Sequence, residues 1–254
     1  MALNLSLMTW NVRGMRNKKK RDTIFRILKL NKVDIVFLQE TYLLEEDMSS
    51  IDKQWGGTIH YLPGTHHSGG LLTLFSNKID TNDISLLGKS DRSITSRFGF
   101  VDEQITLHNI YAPCVLNERI RFFQKLKHIV KSNESLNDLN HTIVAGDFNS
   151  VLNNDLDVIA GHGHSRESVQ SFQDVVNDLT FTDIWRRYNI HSKEYTWSRE
   201  SPFTARRLDY IFISESLDPF VDSVNIKTLV FQTIGLWVAI SVFRHSQMAL
   251  LTTN

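Results

Sequence analysis

Apolar and polar residues alternate from Leu3 to Trp10, the period-two pattern of a strand with one buried face. The alternation stops at Asn11-Val12-Arg13-Gly14, a turn. Ile24, Ile27 and Leu28 then recur at helical spacing, and Asn31 closes that helix. Residues 33–38 form an apolar strand that ends at Gln39-Glu40-Thr41. Short strand patterns follow at 59–62, 70–75, 84–87, 96–101 and 104–111, the first two expected to pair across the loop 63–69. Pro113 stops the last of them. Residues 118–131 are helical through Ile120, Phe123, Leu126 and Val130. Thr142-Ile143-Val144-Ala145 reads as a buried strand that breaks at Gly146. A helix over 166–179, a short segment at 181–188 and strands at 194–198, 208–213, 224–229 and 236–243 complete the pattern. Strands outnumber helices, and helices fall between groups of strands. That order predicts an α/β fold of two packed sheets flanked by helices. With no repeat and no linker composition, residues 1–246 are expected to form one domain and 247–254 a disordered tail.

Composition narrows the function classes. Hydrophobic residues make up 41% of the 254, enough for an ordinary globular core. The formal net charge of +0 excludes nucleic-acid binding driven by bulk charge and leaves local basic patches to do it. A single cysteine, Cys114, forms no disulfide within the chain, so a reducing compartment is expected, with Cys114 packed rather than nucleophilic. The first ten residues are too quickly followed by Asn11 and Arg13 for a secretory signal, and no apolar run reaches membrane-span length. A nuclear or cytoplasmic protein is expected, with no membrane association.

The chemistry gathers at strand ends. Asp147 and Asn149 leave the end of a buried strand two positions apart, where an extended chain would aim both at one face. Asn11, Glu40 and Tyr111 end other strands, and Asp209 opens one. Each alone is an ordinary turn or solvated residue. Their order and context are more specific. Thr9-Trp10-Asn11-Val12-Arg13-Gly14, Leu38-Gln39-Glu40-Thr41, Asn109-Ile110-Tyr111-Ala112-Pro113 and Gly146-Asp147-Phe148-Asn149 appear in turn. Asp183-Ile184-Trp185-Arg186, Tyr195-Thr196-Trp197-Ser198 and Arg207-Leu208-Asp209-Tyr210-Ile211 follow. This series resembles the endonuclease/exonuclease/phosphatase superfamily, which includes exonuclease III-like abasic-site nucleases and deoxyribonuclease I. The last two motifs look most like its LINE-type retrotransposon branch.

The resemblance implies a deoxyribonuclease I-like four-layer α/β sandwich, acting as a monomer on DNA with Mg²⁺ or Mn²⁺. It assigns Glu40 as the main metal ligand, with Asn11, Asp147 and Asn149 nearby. It makes Asp147 the residue that orients or deprotonates the attacking water, Asn149 a holder of the phosphate, and Tyr111 a donor to the phosphate or leaving oxygen. Asp209 is implied to hold a histidine, and Thr196 to contact the DNA backbone. Arg13, Arg16, Lys18, Lys19 and Arg207 are the basic residues expected at the DNA. The series departs from the family at its end. Where the family has Ser-Asp-His before the last strand, this chain has Thr233-Ile234-Gly235, whose Ile and Gly bind neither cation nor phosphate. An enzyme with impaired turnover, a non-catalytic DNA-binding remnant, and a phosphatase of the same fold all remain open.

Overall fold

The computed structural model describes residues 4–100, 103–132, 141–227 and 237–244. The departure at Thr233-Ile234-Gly235 and the expected tail lie outside them.

The chain begins with β1 (Asn4–Asn11), α1 (Lys18–Leu30) and β2 (Ile35–Gln39). Asn17 caps α1 by accepting the Lys20 N–H, and Ile24, Phe25, Ile27 and Leu28 form its buried stripe. A second helix, α2 (Met48–Trp55), buries Met48, Ile51 and Trp55, a spacing of three and four that the sequence reading passed over. The pair β3 (Ile59–Gly64) and β4 (Gly69–Phe75) follows, then β5 (Ile84–Lys89), β6 (Ser93–Phe100) and β7 (Glu103–Tyr111). Next come α3 (Leu116–Ser132), β8 (His141–Asp147), α4 (Asn154–Asp157), β9 (Val158–Ile159) and α5 (Arg166–Asp178). The last part holds β10 (Phe181–Asp183), α6 (Ile184–Tyr188), β11 (Trp197–Glu200), β12 (Phe203–Arg206), β13 (Asp209–Ser214), β14 (Val221–Lys227) and β15 (Trp237–Arg244).

Two six-stranded sheets result, ordered β14-β15-β1-β2-β4-β3 and β10-β13-β8-β7-β6-β5, with a small third sheet β11-β12-β9. Each large sheet has one parallel pair at its centre, β1 with β2 and β7 with β8. Period-two alternation sends each central strand's side chains into two different cores. Leu5 and Leu7, Ile35 and Phe37, Ile105 and Leu107, and Ile143 and Ala145 meet between the sheets. Met8 and Trp10, with Val36 and Leu38, face α1 and α2 on one outside. Val144, Tyr210 and Phe212 pack with Phe123 and Phe172 of α3 and α5 on the other. The layers run helix, sheet, sheet, helix, as expected. A buried side chain such as Phe37 contributes roughly 2–3 kcal/mol by its removal from water. The strand expected at 194–198 starts three residues later, at Trp197, because Tyr195 and Thr196 precede the β11–β12 hairpin.

Candidate active site

Along the face between the sheets, the central strands change from apolar to polar in one direction. β1 runs Leu5, Leu7, Thr9, Asn11; β2 runs Ile35, Phe37, Gln39; β7 runs Ile105, Leu107, Asn109, Tyr111; β8 runs Ile143, Ala145, Asp147. The antiparallel β13 starts at that same end, with Asp209 opposite Asp147. Tyr111 also pairs with Asp147, in the parallel register of β7 and β8. Only glycine fits before Asp147: a Cβ on Gly146 would lie 2.0 Å from the Ile110 carbonyl oxygen.

Asn11 links the two sheets. Its Nδ2 donates to Glu40 Oε1 and to Asp147 Oδ2, both at 2.8 Å, although these residues lie 29 and 136 positions away. Tyr111 OH donates to Glu40 Oε1 at 2.9 Å, and Tyr42 OH donates to Oε2 at 2.7 Å. Gln39 faces the gap between the sheets, so an undisturbed strand would send Glu40 the other way. The left-handed backbone at Glu40, φ 51°, re-aims it, a conformation that costs a non-glycine residue about 1 kcal/mol or more. Tyr42 is also left-handed, and its ring covers Gly14 so closely that a Cβ there would sit 2.7 Å from Cδ2.

Strand alternation is not what brings Asn149 to Asp147. β8 has ended, Asn149 has φ 47°, and its backbone N–H folds back to Asp147 Oδ1 at 2.8 Å. Asn149 Nδ2 donates to Ala112 O at 2.8 Å, so the amide oxygen remains to serve a ligand. Asn11 Oδ1 accepts the Arg13 N–H at 3.1 Å, so its nitrogen and not its oxygen faces Glu40. Ligation of a cation by Asn11 would need that amide to turn over.

The cluster is rich in negative charge. Burial, with the Glu40 charge adding to it, raises the Asp147 carboxyl to about 6 against hydrogen bonds from Asn11 and Asn149. Burial first, and Asp147 second, push Asp209 well above the usual carboxylate range. Burial and the Glu40 charge also push the Tyr111 phenol up, so it acts as a donor and not as a phenolate. Asp209 Oδ1 is buried without a hydrogen-bond partner among the described residues.

Two residues expected at the DNA, Arg207 and Thr196, are buried instead. Arg207 is 1% exposed and cannot reach a backbone phosphate. Its guanidinium is fixed by Asp157 at 2.9 and 3.3 Å and by Asp183 at 3.0 and 2.6 Å, between the rings of Trp185 and Tyr210. Thr196 is also buried, and its Oγ1 accepts the backbone N–H groups of Leu208 at 2.9 Å and Asp209 at 3.1 Å. It shapes the Asp209 turn instead of touching a ligand.

Arg13 is exposed beside the cluster, and its charge acts to lower both Asp147 and Asp209. Arg16 pairs with Asp47 at 3.4 Å and contacts His66. Lys18 and Lys19 are exposed on the first turn of α1, Lys18 facing Asp22 at 3.4 Å. The sequence reading missed Tyr42, whose aromatic type at a strand end gave no sign of a hydroxyl aimed at Glu40. Lys20, in the same basic run as Lys18 and Lys19, is half-buried; it donates to Arg13 O at 3.0 Å and feels the Glu40 charge. Cys114 is exposed, against the expectation of a packed residue, but its thiol is pushed up by burial of the sulfur and by Asp147, which does not favour a nucleophile.

Among the described residues, no three His, Cys, Asp or Glu side chains form a group able to hold a metal. Mg²⁺ does not require one: it is usually held by one or two carboxylates and keeps several waters. Hard oxygen donors, raised carboxyl groups and the unpartnered Asp209 oxygen fit such a cation. Glu40 and Asp147 would hold it, with the Asn149 amide oxygen beside them.

Comparison with known proteins agrees with this architecture. The sequence matches the Endonuclease/Exonuclease/phosphatase family over residues 8–237. It is 28% identical over 230 residues to the "Transposon TX1 uncharacterized 149 kDa protein" of Xenopus laevis, covering 89% of this chain and 17% of that protein. It is 26% identical over 253 residues to "Recombination repair protein 1" of Drosophila melanogaster, covering 89% of this chain and 35% of that protein. The chain thus spans about a third or less of the length of either. The AP endonuclease of Leishmania major shares the fold, with a TM-score of 0.78 at 18% identity over 94% of this chain and 88% of that one. Among the described residues, no helix is long and apolar enough to cross a membrane. With the match spanning most of its length, the chain belongs to the endonuclease/exonuclease/phosphatase family.

Proposed function

We propose that this chain is a DNA phosphodiester hydrolase domain dependent on Mg²⁺ or Mn²⁺, of the exonuclease III and abasic-endonuclease type. The observation that carries the reading is the Asn11 bridge, which holds Glu40 of one sheet and Asp147 of the other on one amide, both at 2.8 Å. A bound cation would neutralise charge on the phosphate and make its water more acidic. The side chains supply the rest. Asp147 would orient the attacking water or take its proton. Tyr111 donates to the phosphate or the leaving oxygen, and the Asn149 amide keeps the phosphate in line. Tyr42 holds the Glu40 carboxylate on Oε2, and Tyr111, whose single O–H lies on Glu40 Oε1 in the free protein, turns it to the phosphate when DNA binds. Arg13, Arg16, Lys18 and Lys19 contact DNA phosphates on either side. The likeness to a transposon protein supports descent from a retrotransposon endonuclease.

Ile234 and Gly235 favour a second reading, a DNA-binding remnant with little turnover, because neither supplies the acid or imidazole expected there. One assay separates the two. Supercoiled plasmid and an abasic duplex are incubated with Mg²⁺ or Mn²⁺, using wild type and Glu40→Gln. Cation-dependent nicking that Glu40→Gln loses supports the hydrolase; DNA binding without nicking selects the remnant.

A further inference from the structure

Directly beneath the cluster, three fully buried polar side chains cross the gap between the sheets. Thr9, Gln39 and Asn109 each have 0% exposure. Gln39 Nε2 donates to Thr9 Oγ1 at 3.0 Å and to Asn109 Oδ1 at 2.8 Å. Asn109 Nδ2 donates to the Leu72 carbonyl at 2.8 Å and lies 3.4 Å from Thr73 Oγ1. One chain of hydrogen bonds therefore ties β1, β2 and β4 of the first sheet to β7 of the second.

Its place in the sequence is systematic. Thr9 is two residues before Asn11 on β1, Gln39 immediately precedes Glu40, and Asn109 is two residues before Tyr111 on β7. One step further from the cluster, the same face is filled by Leu7, Phe37, Leu107 and Ile143. An apolar layer can therefore fill this gap, and a buried polar one is costly unless every member is satisfied. What hydrogen bonds add is a fixed separation, because their donor–acceptor distance is narrow, whereas apolar cores that keep their volume can repack and lose uniqueness before stability. The cluster needs a fixed separation, since Asn11, Glu40 and Tyr111 come from three strands in two sheets and must meet within hydrogen-bond distance.

We propose that Thr9, Gln39 and Asn109 are positioning residues that set the spacing of the two sheets at the site and so hold the Glu40 carboxylate against Asn11 and Tyr111. The consequence for cation binding rests on the hydrolase reading above; the effect on Glu40 itself does not.

The test uses the full chain carrying Thr9→Val, Gln39→Leu and Asn109→Leu together, so that the bonds among the three are removed as a set, and the Leu72 carbonyl and Thr73 Oγ1 lose only the Asn109 donor. Melting temperature, the ¹³C shift of the Glu40 side-chain carboxyl in metal-free protein, and Mn²⁺ affinity are measured. The expected result is an unchanged or higher melting temperature, a displaced Glu40 resonance and Mn²⁺ binding weakened about tenfold. A folded triple variant with the wild-type Glu40 resonance would overturn the proposal, because apolar filling would then serve equally well. If the triple variant does not fold, Thr9→Val and Thr9→Ser decide. The serine variant is expected to keep the wild-type Glu40 resonance and the valine variant to lose it; wild-type resonances in both overturn the proposal. Absence of Mn²⁺ binding by the wild type counts against the hydrolase reading, and the Glu40 resonance still tests the positioning role.

Discussion

Among the described residues, two groups of buried and half-buried carboxylates are settled in opposite ways. In one, Asp157 and Asp183 are matched by Arg207 and Arg186, with Arg186 Nη2 at 2.7 Å from Asp157 and Tyr210 OH donating to Asp157 at 3.3 Å. Burial acts to lower the Arg207 guanidinium, but the charges of Asp183 and Asp157, with Tyr210, overcome it and push it above its usual value. In the other, Glu40, Asp147 and Asp209 share one amide, two phenols and backbone N–H groups, with Arg13 at the rim. Its buried aspartates are pushed up. A group of charges closed within the chain can only hold the fold together. A group left with excess negative charge at the open end of the sheets is one that the proposed cation would neutralise.

Breaking each group should have different consequences. Glu40→Gln removes a donor of the open group; nicking should fall on the order of 10⁴-fold, about 5 kcal/mol, with the melting temperature little changed. Arg207→Met should do the reverse, destabilising the fold by about 4 kcal/mol in urea denaturation, because two carboxylates lose their buried partner. Asp147→Asn should abolish nicking and yet stabilise the protein at neutral pH by about 1–2 kcal/mol. The sign follows from the raised carboxyl. Between the ordinary aspartate range and about pH 6 the folded state holds the proton that the unfolded state has released, so wild-type stability falls as pH rises through that window. Denaturation midpoints from pH 4 to pH 8 should show that fall in wild type and a flatter profile in Asp147→Asn. Arg13→Ala, the smallest change, should weaken DNA binding a few-fold and reduce the slope of log affinity against log salt by about 1, as a single phosphate contact would.

The same contrast explains what could be read in the sequence. Asn11, Glu40, Tyr111, Asp147 and Asp209 were legible because the strand pattern put each at an element end and the motifs gave their order. Arg207 was misassigned because its identity as a cation near a motif says nothing of burial. Its partners Asp157 and Asp183 are 50 and 24 positions away and meet it through the β9–β12 and β10–β13 pairings. Thr196 was misplaced for a similar reason, since its hydroxyl serves backbone N–H groups that no pattern announces. Tyr42 was missed because the left-handed turn at Glu40 reverses the facing that alternation predicts. The fold was read well because period-two alternation is local; the site was read in part because its distances are set across two sheets.

The central claim is that the open group takes a divalent cation on Glu40 and Asp147. Calorimetric titration of metal-free protein with Mn²⁺ at pH 6 and pH 8, in two buffers of different ionisation enthalpy, tests it most directly. The expected result is one saturable site, accompanied by proton release at pH 6 that largely disappears at pH 8 and by a large loss of affinity in Glu40→Gln. No saturable binding, or binding that Glu40→Gln leaves unchanged, would contradict it.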